Sequence, residues 1–189
     1  CALPICETGI IGEHPEWSLS TEALYAKVSV SKERNEYKTA VSYYSDENCT
    51  TAVETPVITN TYTAPTEGSA ELEIQKAATE SWTGKIPNYF QFKLEALTEG
   101  APMPGTTAVT NNGSDVSFGK ITGYKEVKDY IYKISETGII GEHPEWTVSS
   151  DVLYAKVSVR KEGNEYKTKV SYYSDENCTT AVETPVITN

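Results

Sequence analysis

The sequence predicts an all-β protein made of antiparallel β-sandwich domains in tandem, and three observations predict it. Almost every segment alternates apolar and polar residues with period two and is rich in Thr, Val, Tyr and Ile. The alternating runs are short, polar turns separate them, and no useful helical period interrupts them. The third observation is a duplication. Residues 7–60 return as residues 136–189 at an offset of 129 (136 − 7), with eight differences, so 46 of 54 positions (54 − 8) are identical. A period this long exceeds the ~20–50 residues of solenoid units, so the copied unit is a whole domain.

Residues 67–189 read as one complete repeat. Leu72, Ile74 and Lys76 share one face of its first strand. Phe90, Phe92, Leu94 and Ala96 line a face of the second, with Gln91, Lys93 and Glu95 opposite. Ala101–Gly105 reads as a loop and Asn111-Asn112-Gly113 as a tight turn, after which Val116-Ser117-Phe118 opens another strand. Tyr130, Tyr132, Ile134 and Glu136 alternate along the next. Leu153, Ala155, Val157 and Val159 follow, turned by Glu162-Gly163-Asn164 into Tyr166, Thr168, Val170 and Tyr172. Ile187 and Asn189 share a face of the last strand.

Residues 1–60 hold only the later strands of such a domain and should expose bare edges and half a core. The upstream half is expected from preceding sequence. The alternative is exchange, with segment 67–135 of another molecule filling the place. Residues 61–69 close one domain and lead into the next, a connection short enough to predict a semi-rigid rod.

Composition narrows the function classes. The net charge is −11 with a pI near 4.7, which disfavours nucleic acid and anionic membrane surfaces. No apolar run is long enough to span a bilayer and no signal peptide is visible, as expected of a mature or internal fragment. Cys49 and Cys178 are equivalent positions, so the complete repeat has one cysteine and no internal partner for it; pairing of Cys6 with Cys1 or Cys49 stays open. No cofactor is implied. His14 and His143, each in Gly-Glu-His-Pro-Glu-Trp, read as turn residues rather than metal ligands. Many of the thirteen tyrosines fall on inward strand positions and read as core rather than as a glycan-binding face.

Three residues break the apolar-inside rule: Lys76, Glu136 and Asn189. Burying them separately would be costly, so they should meet. Two readings follow. One is a buried Lys76–Glu136 ion pair with Asn189 as hydrogen-bond partner, which the pattern alone favours. The other is acyl transfer, because burial favours a neutral amine and a neutral carboxylic acid. The amine would attack the carboxamide, the acid would shuttle protons, and ammonia would leave.

Glu71-Leu-Glu-Ile-Gln-Lys76 with Trp82-Thr-Gly84, then Phe90-Gln-Phe-Lys-Leu94, resembles the opening of the Gram-positive pilin isopeptide-linkage domain, an Ig-like, Cna-B-like sandwich. Ala101-Pro-Met-Pro104, Val116–Ile121 and Tyr130–Glu136 resemble that family's middle motifs in order, and Val186-Ile-Thr-Asn189 its closing strand. The resemblance implies a bond from Lys76 to Asn189 assisted by Glu136. In the partial copy it implies the corresponding Glu7 and Asn60, whose lysine partner is not expected within this sequence. Cys1–Cys6 departs from the equivalent strand, with only Ile5 keeping the pattern.

The resemblance further implies a stalk or shaft module of an extracellular surface protein or pilus, cell-wall anchored, whose partners are neighbouring repeats. A host ligand would be met through another domain. The module would not be an enzyme beyond one self-modification, and this segment would not enter a membrane. The alternative function is a host protein- or glycan-binding adhesin module.

Overall fold

The computed structural model describes residues 2–189, which divide into two compact units between Ala64 and Pro65. Every regular element among the described residues is a strand. Among the described residues no helix is long and apolar enough to cross a membrane.

The first unit contains β1 (Leu3–Cys6), β2 (Trp17–Ser18), β3 (Ala23–Glu33), β4 (Glu36–Tyr44), β5 (Ala52–Val53) and β6 (Thr61–Tyr62). Four of them make one sheet in the order β1-β3-β4-β5, and β2 pairs with β6. Across this unit Leu24 is the single buried apolar residue among those described.

The second unit runs β7 (Gly68–Ala77), β8 (Phe90–Ala96), β9 (Ala108–Thr110), β10 (Asp115–Tyr124), β11 (Asp129–Ile139), β12 (Val152–Glu162), β13 (Glu165–Tyr173), β14 (Ala181–Val182) and β15 (Val186–Thr188). A three-stranded sheet, β10-β7-β15, faces a six-stranded one, β14-β13-β12-β11-β8-β9. The expected alternation produces the core between them. Leu72, Ile74, Phe90, Phe92, Leu94, Tyr132, Ile134, Ala155, Val157 and Ile187 are all buried, each large side chain contributing about 1.5–3 kcal/mol by leaving water. Ala96 departs from the predicted face: it ends β8 and is exposed.

Two tyrosine hydroxyls meet inside this core. Tyr124 and Tyr132 share a hydrogen bond of 2.9 Å, and Tyr132 donates to the Pro102 carbonyl at 2.7 Å. Their burial raises both phenol pKa values. β7 passes close over β13 at Gly68, where a Cβ would lie 2.9 Å from Thr168 Cγ2. Farther along, the Glu73 amide donates to the Tyr172 hydroxyl at 2.9 Å.

One pairing differs from the antiparallel expectation. β15 runs parallel to β7, with Ile187 opposite Lys76. The remaining strand pairs are antiparallel. Alternation fixes which face a residue takes but not the direction of its strand. A last strand that returns beside the first across a sandwich is free to run parallel to it.

Cys6, Cys49 and Cys178 are free thiols, so Cys6 and Cys49 do not pair; the Cys6–Cys1 alternative falls outside the described residues. The predicted histidine turns are present. Trp146 N donates to the His143 carbonyl at 3.0 Å, and the His143 ring stacks on Tyr89 with centroids 3.9 Å apart.

Candidate functional site

Period-two geometry brings the three exceptional residues to one end of the sandwich. Lys76 is the last inward residue of β7, Glu136 sits inward on β11, and Asn189 follows β15 directly. The side chains of Lys76 and Glu136 are fully buried. Asn189 is half-buried.

Lys76 Nζ donates to Asn189 Oδ1 at 2.8 Å, to the Ala77 carbonyl at 2.8 Å and to the Ile187 carbonyl at 3.2 Å. Glu136 Oε2 faces the same nitrogen at 3.5 Å. That oxygen has no hydrogen-bond partner among the described residues. Glu136 Oε1 accepts from Asn189 Nδ2 at 2.8 Å. The carboxamide orientation is consistent with its surroundings, since its oxygen meets a donor and its nitrogen an acceptor. The Phe90 ring, 4.7 Å from Nζ, closes the apolar side of the cluster.

Burial lowers the Lys76 pKa from its usual value, opposed by the nearby charge of Glu136. The direction makes loss of the ammonium proton easier than for a lysine in water. A carboxylate oxygen with an open lone pair stands 3.5 Å away to take it. The arrangement can therefore pass a proton from Nζ to Glu136 and expose an amine beside a carboxamide. The same carboxyl touches the amide nitrogen that would leave.

Two residues outside the strand pattern contribute. Ser149 N donates to Glu136 Oε1 at 3.3 Å, and Ser149 Oγ donates to the Thr188 carbonyl at 2.7 Å. Asp151 Oδ2 accepts from Thr188 N at 3.3 Å and holds the end of β15. Both residues sit before β12, where no alternation announces them. The signal available was retention of Ser20 as Ser149, with Glu22 changed only to Asp151. A groove lined in part by Trp82, Trp146, Ser149, Asp151 and Asn189 opens beside the cluster.

In the first copy the structure brings Glu7 and Asn60 together. Asn60 Nδ2 donates to Glu7 Oε1 at 2.9 Å, and the Ser20 amide donates to Asn60 Oδ1 at 2.9 Å. The atypical strand before Glu7 therefore does not displace the pair. Among the described residues no group of His, Cys, Asp and Glu is arranged to hold a metal.

The first and last strands of this β-sandwich meet beside a Lys–Glu–Asn cluster. Residues 72–186 match the family model FctA, described as the Spy0128-like isopeptide containing domain. The chain belongs to this family, and with it to structural components of pili or cell surfaces that associate with other pilin repeats. The match spans Lys76 and Glu136 and stops short of Asn189. No curated protein gives a significant match.

Proposed function

We propose that the complete repeat is a shaft or stalk module in which Lys76 Nζ becomes amide-bonded to Asn189 Cγ. Contact of Lys76 Nζ with Asn189 Oδ1 at 2.8 Å inside a buried cluster carries the reading. Nζ gives up one proton to Glu136 Oε2 and attacks Cγ. Glu136 returns the proton to Nδ2, the Cγ–Nδ2 bond breaks, and the second Nζ proton leaves with ammonia. One amide replaces another, so no oxidant, metal or cofactor is required. Each molecule reacts once and has no external substrate.

The cross-link joins residues 113 apart. By chain entropy, closing a loop of that length is worth about 4–5 kcal/mol. Unlike a disulfide, it cannot be undone by thiols. This chemistry suits a cell-wall-anchored repeat that holds other domains away from the surface.

Intact mass tests the reading. The chain should weigh one ammonia less than its sequence, and a tryptic peptide should join the Lys76 and Asn189 segments. Full sequence mass with no such peptide would overturn it.

A further inference from the structure

The chain contains a single Asn-Gly dipeptide, Asn112-Gly113. Such a pair is prone to cyclise on itself, because a glycine amide carries no side chain to hinder its attack on the preceding carboxamide. Here the pair lies in the turn between β9 and β10, where Gly113 and Ser114 join Asn112 to Asp115. Gly113 has a φ of 62°, which suits a primed hairpin turn with glycine at its first central position. The turn therefore requires glycine, and the labile bond comes with it. Asn112 is exposed, so water reaches its carboxamide. The backbone on both sides is held. Asn112 N donates to the Asp115 carbonyl at 2.8 Å, and Asp115 N donates back at 3.1 Å, which keeps Asn112 extended. Gly113 N donates to Asn88 Oδ1 at 2.6 Å, and the Gly113 carbonyl accepts from Asn111 Nδ2 at 2.7 Å. The next carbonyl, that of Ser114, accepts from Lys76 N at 2.7 Å. This turn thus also fixes the backbone of the buried lysine.

We propose that Asn112 is a latent self-modification site and that Asn88 holds it closed. In the reaction Gly113 N loses its proton and bonds to Asn112 Cγ. The Cγ–Nδ2 bond breaks, the proton passes through solvent to Nδ2, and ammonia leaves a five-membered imide. Water then opens the imide to aspartate or isoaspartate. Two features of the turn oppose the first step. The Gly113 proton is engaged by the Asn88 oxygen. Ring closure also needs the Gly113 nitrogen swung over the Asn112 side chain, out of the extended arrangement that the pair with Asp115 fixes. Once formed, the imide has no Gly113 N–H to donate, and isoaspartate lengthens the main chain by one methylene. Either change reshapes the turn and draws the Ser114 carbonyl away from Lys76 N. Asn88 is exposed and touches neither Lys76 nor Asn189; its part is to preserve the turn on which the Lys76 backbone rests.

The test incubates the full chain at mildly alkaline pH, folded and in guanidinium chloride, and follows the tryptic peptide 94–120 that holds Asn112. The folded chain should convert far more slowly than the unfolded one. Asn88→Ala should convert on the order of 2–10-fold faster than the folded parent, the factor that one hydrogen bond is worth. Asn88→Asp, which keeps the acceptor oxygen, should stay close to the parent. Fragmentation should place the change at Asn112, and Asn112→Gln should abolish it. Amide exchange reads the same contact directly: Gly113 should be protected in the parent and exposed in Asn88→Ala, while the strands of the second unit stay protected in both. Conversion of the folded chain at the unfolded rate, an Asn88→Ala rate equal to the parent's, or conversion at Asn111 in place of Asn112 would overturn the proposal. The imide is one ammonia lighter than its parent, as a Lys76–Asn189 cross-link would be. The peptide map separates the two, because the cross-link joins the Lys76 and Asn189 peptides and leaves 94–120 unchanged.

Discussion

Asn189 Nδ2 lies 2.8 Å from Glu136 Oε1, and Asn60 Nδ2 lies 2.9 Å from Glu7 Oε1. The same contact forms beside a buried lysine in one copy and without one in the other. The contact therefore forms with or without a lysine beside it, and the Ser149 or Ser20 amide bonds to one member of the pair. Such preorganisation is what a positioned proton carrier requires.

Glu136→Gln keeps the shape of the side chain but removes its capacity to accept a proton. The variant should fold, retain full sequence mass and melt at the temperature of Lys76→Met. Loss of one ammonia in Glu136→Gln would show that the carboxyl is not the proton carrier.

Lys76 has a pKa lowered by burial in the folded state, so in the uncross-linked Asn189→Ala variant the folded form binds fewer protons than the unfolded form between the lowered pKa and about 10.4. The Lys76 contribution should make that variant more stable as pH rises through this window. The contribution is lost as pH falls through the folded pKa. Urea midpoints of Asn189→Ala, referenced to Lys76→Met/Asn189→Ala at each pH, isolate it; a difference that falls with rising pH would contradict the lowered pKa.

Asn111 is buried, accepts from Phe90 N at 3.0 Å and donates to the Pro87 and Gly113 carbonyls at 2.7 Å each. Asn111→Ala would leave these groups unsatisfied and should destabilise the second unit by about 1–3 kcal/mol. Denaturant unfolding of the Lys76→Met background, where no cross-link masks the loss, measures it.

Arg34 and Gly163 occupy the same place in the two hairpins, with φ of 55° and 58°. That conformation suits glycine and costs other residues about 1–2 kcal/mol. Arg34→Gly should stabilise the β3–β4 hairpin by about 1 kcal/mol. The readout is slower amide exchange in residues 27–42, and faster exchange would count against it.

Much of the second unit was legible because its strands alternate cleanly. Leu72-x-Ile74-x-Lys76 and Tyr130-x-Tyr132-x-Ile134-x-Glu136 name the buried face and the polar groups carried onto it. Ala96 was misplaced because alternation does not say where a strand leaves the core. Ser149 and Asp151 were not legible, since they act from an irregular segment whose role depends on where β15 arrives. Asn111 was read only as a turn residue, because a carboxamide that satisfies three backbone groups at once has no periodic signature.

The parallel register of β7 and β15 has a consequence for extension. Chain enters β7 at Gly68 and leaves beyond Thr188, at opposite ends of the same strand pair. With Lys76 bonded to Asn189, a pull on the two ends runs along residues 68–76, crosses the amide and exits. Residues 77–188, 112 in number (188 − 76), hang outside that path. Their contour, about 370–400 Å when fully drawn out, is withheld from the fibre however far the domain is forced open. A row of such modules would yield little length under a sudden tug and recover its original span when released.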